Sequence, residues 1–128
     1  MPVSSTENTF LNSAEIDESV IETASLNAQT GTTYTLALSD RGQVVTMNNA
    51  SANTVTIPAN SAVAFDVGSV VVIYQIGAGT TSVTGDTGVT VNGVSAGGGD
   101  ISGQYKAASL IKTGTDSWII SGEIGAIA

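Results

Sequence analysis

The sequence predicts an all-β fold: a compact antiparallel β-sandwich or β-barrel-like domain of about eight or nine short strands behind an N-terminal arm. Three observations carry this expectation. Apolar and polar residues alternate with period two in successive runs from residue 31 onward, and each run is closed by Gly, Pro, Asn or Asp. Ser and Thr occupy 32 of the 128 positions and Gly another 15, so hydroxyls and turn residues dominate the polar set. Charged residues make up 11%, less than half of the roughly 25% usual in soluble domains, and the length suits a single hydrophobic core.

Residues 1–30 read as the arm and 31–128 as the β domain. The arm holds five of the eleven acidic residues (Glu7, Glu15, Asp17, Glu18 and Glu22) and no basic residue. Two conformations fit it. Asn12 or Ser13 can cap a short helix with an apolar stripe of Ile16, Val20, Ile21 and Ala24, its first turn favoured by Glu15 and Asp17. Equally, the β-branched content of Ile16 to Leu26 suits an extended strand added to a neighbouring subunit's sheet.

Within the domain, Tyr34–Leu38, a turn at Ser39–Gly42 and Gln43–Met47 predict a hairpin. Thr54–Ile57 predicts a strand ended by Pro58, which has no ladder donor. The stretch Ser69–Ile76 is apolar on both faces, so it predicts a strand covered on two sides, within a sandwich or by a partner subunit. Gly77–Gly79, Gly85–Gly88 and Gly97–Gly99 punctuate two Thr- and Val-rich strands, Thr80–Thr84 and Val89–Asn92. Tyr105–Lys112 and Ser117–Ser121, joined at Gly114–Asp116, predict a terminal hairpin that brings Leu110, Ile111, Trp118 and Ile120 to the core.

Composition removes several chemistries. With no Cys there is no disulfide, thiolate site or thiol nucleophile, and with no His there is no imidazole base or ligand. A net charge of −8 repels a phosphate backbone, so no nucleic-acid partner is expected. The longest apolar run, Val70–Tyr74, is too short to span a bilayer, and no membrane partner is expected. The glycine clusters match neither a GxxxxGK[ST] loop nor a GxGxxG fingerprint and read as turns. Asp66, Asp86, Asp100 and Asp116 sit beside Gly or small residues and read as turn formers rather than as a carboxylate pair or calcium cage. No catalytic residue, metal ligand or cofactor is therefore assigned, and the expectation is a protein that is not an enzyme. Asp40 and Arg41 read as a solvated turn pair. Arg41, Lys106, Lys112 and Trp118 are the candidate intersubunit contacts, the cations because they can meet an acidic arm. For Trp118, core packing or a buried interface is favoured over a sugar platform, because Ile119 and Ile120 follow it in one strand.

The order of Leu38-Ser-Asp-Arg-Gly42, Val55-Thr-Ile-Pro-Ala-Asn60, Phe65-Asp-Val-Gly68, Gln75-Ile-Gly-Ala-Gly79, Gly103-Gln-Tyr105 and Leu110-Ile-Lys-Thr-Gly-Thr-Asp-Ser-Trp118 resembles that in small β modules of tailed-phage virions. These include capsid decoration or cement proteins and the terminal parts of tail-fibre-like proteins. The resemblance covers about three-quarters of the chain, and it implies a homotrimer. With no coiled-coil or repeated shaft upstream, it implies a decoration protein on the outer capsid surface of a bacteriophage more than a fibre. Its partners would be the major capsid protein and two further copies of itself. The arm would then be the capsid contact, through Phe10, Leu11, Ile16 and Ile21. A tail-fibre or tail adaptor component that binds a receptor or glycan is the alternative.

Overall fold

The structure, a computed structural model, describes residues 25–125, 127 and 128. Among these residues the chain forms eleven short strands: β1 (Leu26–Gln29), β2 (Thr33–Thr35), β3 (Val44–Met47), β4 (Asn53–Ile57), β5 (Val70–Gln75), β6 (Thr81–Gly85), β7 (Thr90–Val91), β8 (Val94–Ser95), β9 (Gly98–Asp100), β10 (Ala107–Gly114) and β11 (Ser117–Gly122). They make a seven-stranded sheet in the order β1-β3-β5-β10-β11-β7-β8 and a four-stranded sheet in the order β2-β4-β6-β9. The all-β expectation holds, while the antiparallel arrangement does not: both sheets are mixed and neither closes on itself.

The first six strands alternate between the sheets, and each returns parallel to the one before it in its own sheet. Leu26 lies beside Val44 and Val44 beside Val72 in one sheet, while Thr33, Thr54 and Ser82 align in the other. The expected hairpin over residues 34–47 is therefore absent. Leu38–Asp40 forms a 3-10 turn that carries the chain from the small sheet to the large one, so β2 and β3 are never neighbours. Period-two alternation marks a strand with one buried face, but it is blind to which strand lies alongside.

Corner loops make this winding possible. Gly77 N–H donates to the Met47 carbonyl and Gly79 N–H to the Asn49 carbonyl, so the loop after β5 rests on the loop after β3. A Cβ on Gly79 would lie 2.0 Å from the Ser51 carbonyl oxygen, and one on Gly77 would lie 2.4 Å from the Asn49 backbone. These glycines are required by close approach of two chain segments. Beneath the same corner, Thr81 Oγ1 donates to Asn53 Oδ1 (2.6 Å) and Gln75 Oε1 accepts from Thr81 N–H (3.1 Å), which pairs the polar groups buried there.

The inward faces of both sheets meet in one core. Val45, Met47, Val71, Ile73 and Leu110 come from the large sheet, and Val55, Ile57 and Val83 from the small one. Each such side chain contributes about 1.5–3 kcal/mol by leaving water. Trp118 is buried, with its ring edge-to-face against Phe65 at 5.4 Å. The terminal hairpin forms as expected, β10 pairing antiparallel with β11 and also with β5. Ile111 departs from its expected core position: Leu110 points inward, so its neighbour must point out, and Ile111 is 41% exposed.

At the first winding the apolar pattern stops. Asn27 and Gln29 take the inward positions that Val45 and Met47 hold one strand later. Gln29 donates to Asn27 Oδ1, and Asn27 donates to the Tyr34 hydroxyl and to Asp40 Oδ1. Asp40 is buried, not solvated as the sequence suggested, and its Oδ2 also accepts from Tyr34 O–H (2.6 Å) and Ala37 N–H (2.8 Å). Among the described residues, the first winding thus closes its end of the core with hydrogen-bonded polar groups rather than apolar ones.

Candidate interaction surfaces

The two sheets present outer faces of opposite character. On the large sheet, strand pairing sets Leu26, Val44, Val72, Ser109 and Ser121 in one row and Val70, Ile111 and Ile119 in another, with Tyr74 beside Thr46 and Ala107. Val70, Tyr74, Ile111 and Ile119 are between 39% and 46% exposed and Leu26 is 66% exposed. No outward position of β1, β3, β5, β10 or β11 carries a charge. The doubly apolar character of Ser69–Ile76 is thus explained on one side by Val71 and Ile73 in the core, while its other side faces out.

The small sheet instead displays hydroxyls. Thr33, Thr54, Ser82 and Asp100 align across it, as do Thr35, Thr56, Thr84 and Gly98. Ser82 Oγ donates to Asp100 Oδ1 at 2.6 Å. An open groove of about 530 Å³ runs along its β9 edge, lined by Ser82, Thr84, Ala96, Gly98, Gly99, Asp100, Gly125 and Ala128. Among the described residues no aromatic ring lines it, so these residues offer a ligand hydrogen bonds without a stacking platform.

The residues singled out in the sequence separate clearly. Phe10, Leu11, Ile16 and Ile21 lie outside the described residues. Lys112 points into the domain and is 2% exposed. Its ammonium donates to Asn60 Oδ1 (2.6 Å) and to the Phe65 carbonyl (2.7 Å), tying the loop between β4 and β5 onto β10. Trp118 packs in the core of the domain. Arg41 is half-exposed and pairs with exposed Asp66 at 3.2 Å. Lys106 is exposed just before β10.

The four turn aspartates do not converge. Asp66 meets Arg41, Asp86 Oδ1 accepts from Thr87 N–H, Asp100 ends β9, and Asp116 Oδ1 accepts from Asn60 N–H across the domain. Among the described residues no three acidic side chains gather in a way that could hold a metal ion. Among the described residues the Tyr34 hydroxyl is the one clearly perturbed group. Burial, the hydrogen bond it donates to Asp40 and the negative charge there push its pKa up to about 12. Its partners are all part of the polar end of the core, so the perturbation is structural.

Sequence reasoning missed the outward apolar face because a run such as Val70–Tyr74 reads the same whether its second side is covered by the chain or left open. The composition did carry a signal: with so few charges, some outer face had to be free of them. A scan against known protein families finds no matching family model, and a search of curated proteins finds no similar chain.

Proposed function

We propose that this protein is a non-enzymatic structural component of a bacteriophage virion, a capsid decoration or cement protein that forms a homotrimer on the outer shell and stabilises contacts between capsomers. The observation that carries the reading is the uncharged outer face of the large sheet, with Val70, Tyr74, Ile111 and Ile119 exposed on it. Such a face suits a permanent contact with another copy of the chain, because contiguous exposed apolar surface marks association sites. The acidic arm joins this sheet at β1 and supplies the second contact, reaching the major capsid protein or a neighbouring copy through Phe10, Leu11, Ile16 and Ile21. Many copies of a modest interface on a symmetric shell add up by multivalency. The resemblance to small virion β modules supports the same reading.

The test is the copy number of the protein relative to the major shell protein in purified particles, by quantitative mass spectrometry. A simple ratio with hundreds of copies is expected. Absence from particles overturns the virion reading.

The hydroxyl rows and groove of the small sheet favour a second reading, a tail-fibre or tail adaptor component that contacts a receptor glycan through Ser82, Thr84 and Asp100. In that case only a few copies per particle are found, and Ser82→Ala with Thr84→Val abolishes glycan binding without unfolding the domain.

A further inference from the structure

Among the described residues Lys112 is the one buried cation, and no counter-charge meets it. Its ammonium donates to Asn60 Oδ1 (2.6 Å) and to the Phe65 carbonyl (2.7 Å), two neutral acceptors. The ion pair found among the described residues joins Arg41 to Asp66 and leaves Lys112 without a carboxylate partner there. A charge buried in this way is costly unless it is paired or neutralised.

One of its two acceptors is also an electrophile. With the donor along a carbonyl lone pair, the contact to Oδ1 places Lys112 Nζ about 3.4 Å from Asn60 Cγ, within the range of a near-attack arrangement. Turning the amide about its Cβ–Cγ bond presents the face of that carbon to the nitrogen. No described residue accepts from Asn60 Nδ2, and Asn60 is half-buried, so the amide is free to turn and its nitrogen has an exit to solvent. Asp116 brings a carboxylate to the same residue: its Oδ1 accepts from Asn60 N–H (2.7 Å). Trp118 lies opposite Lys112 across the β10–β11 pair and is buried with Phe65. The amine is thereby closed off from water that would compete for the same carbon.

From these observations we infer that Lys112 and Asn60 join in an intramolecular isopeptide bond, which ties the loop between β4 and β5 covalently to β10. One ammonium proton passes to the Asp116 carboxylate through a bridging water, and the freed lone pair on Nζ attacks Asn60 Cγ. The Nζ–Cγ bond forms, the Cγ–Nδ2 bond breaks, and Nδ2 departs as ammonia with a second proton from Nζ. The proton held by Asp116 then leaves on the ammonia as ammonium, and nothing is oxidised or reduced. The product is a neutral amide, so the buried charge is removed. In a chain without cysteine it provides the cross-link that a disulfide would otherwise supply. The hydrogen-bonded pair in the structure is the open form that precedes the bond, and the inference is independent of the virion role.

Closure lowers the mass by about 17 Da, which intact mass spectrometry of the purified full chain reads directly. Trypsin and tandem mass spectrometry locate the loss. The expected product is branched, residues 42–106 joined to residues 107–128 with no cut at Lys112. A folded chain at its full sequence mass overturns the inference. So does an equal loss carried by linear peptides, as ring closure at Asn92–Gly93 would give. Lys112→Met and Asn60→Ala are each expected to abolish the branched product. Asp116→Asn keeps an acceptor for Asn60 N–H without the carboxylate, so it is expected to stay folded by circular dichroism and to keep its full mass. Undiminished closure in that variant overturns the proton route through Asp116. Open but with both ammonium contacts intact, Asp116→Asn is also the background in which those contacts are weighed by themselves.

Discussion

Replacing Lys112 with Met tests whether the buried ammonium serves the fold or a neighbouring subunit. The substitution keeps a stem of similar length and removes the charge. In the structure Lys112 is 2% exposed and donates two short hydrogen bonds, to Asn60 Oδ1 and the Phe65 carbonyl. Hydrogen bonds from a charged group contribute about 1.5–3 kcal/mol each. Part of this is offset in the variant because no ammonium has to be desolvated, and half-buried Asn60 can turn to water. The net loss expected is about 2–4 kcal/mol, or on the order of 10 °C in Tm for a domain of this size. Urea unfolding at one fixed protomer concentration reads it as a lower midpoint with an unchanged slope. Asn60→Ala alone is expected to cost about 1 kcal/mol and to add little in the Lys112→Met background, since the two share one bond. If Lys112→Met unfolds within about 0.5 kcal/mol of the parent while self-association of the parent is lost in the variant, the ammonium acts between copies and not within the fold.

Three further outcomes are expected. Because the Tyr34 pKa is raised to about 12 in the folded protein from an ordinary value of 10.0, its contribution to stability is fully present below pH 10 and is lost as pH rises from 10 to 12. Tyr34→Phe should flatten that part of the urea-midpoint profile, and an unaltered alkaline slope would count against the Tyr34–Asp40 contact. Gly79→Ala should prevent soluble expression or cost more than about 3 kcal/mol, since its Cβ meets backbone, whereas Gly103→Ala, whose nearest neighbour is the Lys106 side chain at 3.6 Å, should be nearly neutral; circular dichroism melts compare them. Phe65→Ala should cost about 3–5 kcal/mol by opening a cavity beside Trp118, and the Trp118 fluorescence of the folded variant should shift to the red.

What the sequence made legible was local. The terminal hairpin, the burial of Trp118, the strand at Thr54–Ile57 and the turn role of Gly77–Gly79 follow from alternation, aromatic placement and turn chemistry, all readable within about ten residues. Pairing between distant segments was not. Thr33, Thr54 and Ser82 align only because three windings place them together, and no periodicity within one strand encodes that. The 3-10 turn at Leu38–Asp40 was read as a hairpin turn because Asp and Gly suit both. Its distinguishing contact, the Asp40 carboxylate with Asn27 and Tyr34, comes from residues of the previous winding. Lys112 stands among the candidate intersubunit contacts because Lys is almost never fully buried unless paired and an acidic arm offers a partner. Nothing nearby in sequence announces the Phe65 carbonyl that accepts its hydrogen bond.

The place of β5 in the large sheet also bears on how the chain reaches its fold. On one side β5 pairs with β3, which has already been synthesised when β5 emerges. Its other neighbour, β10, comes only after β6 to β9 have left for other positions. During synthesis, then, the strand richest in Val and Ile waits with an open row of backbone donors and acceptors, the situation in which nascent chains pair wrongly with one another. Closure of that gap by a strand from the far end of the sequence makes the last segment rate-determining for a non-local topology. A ribosome-bound chain stopped before residue 107 should therefore remain protease-sensitive throughout, including windings whose own residues are complete.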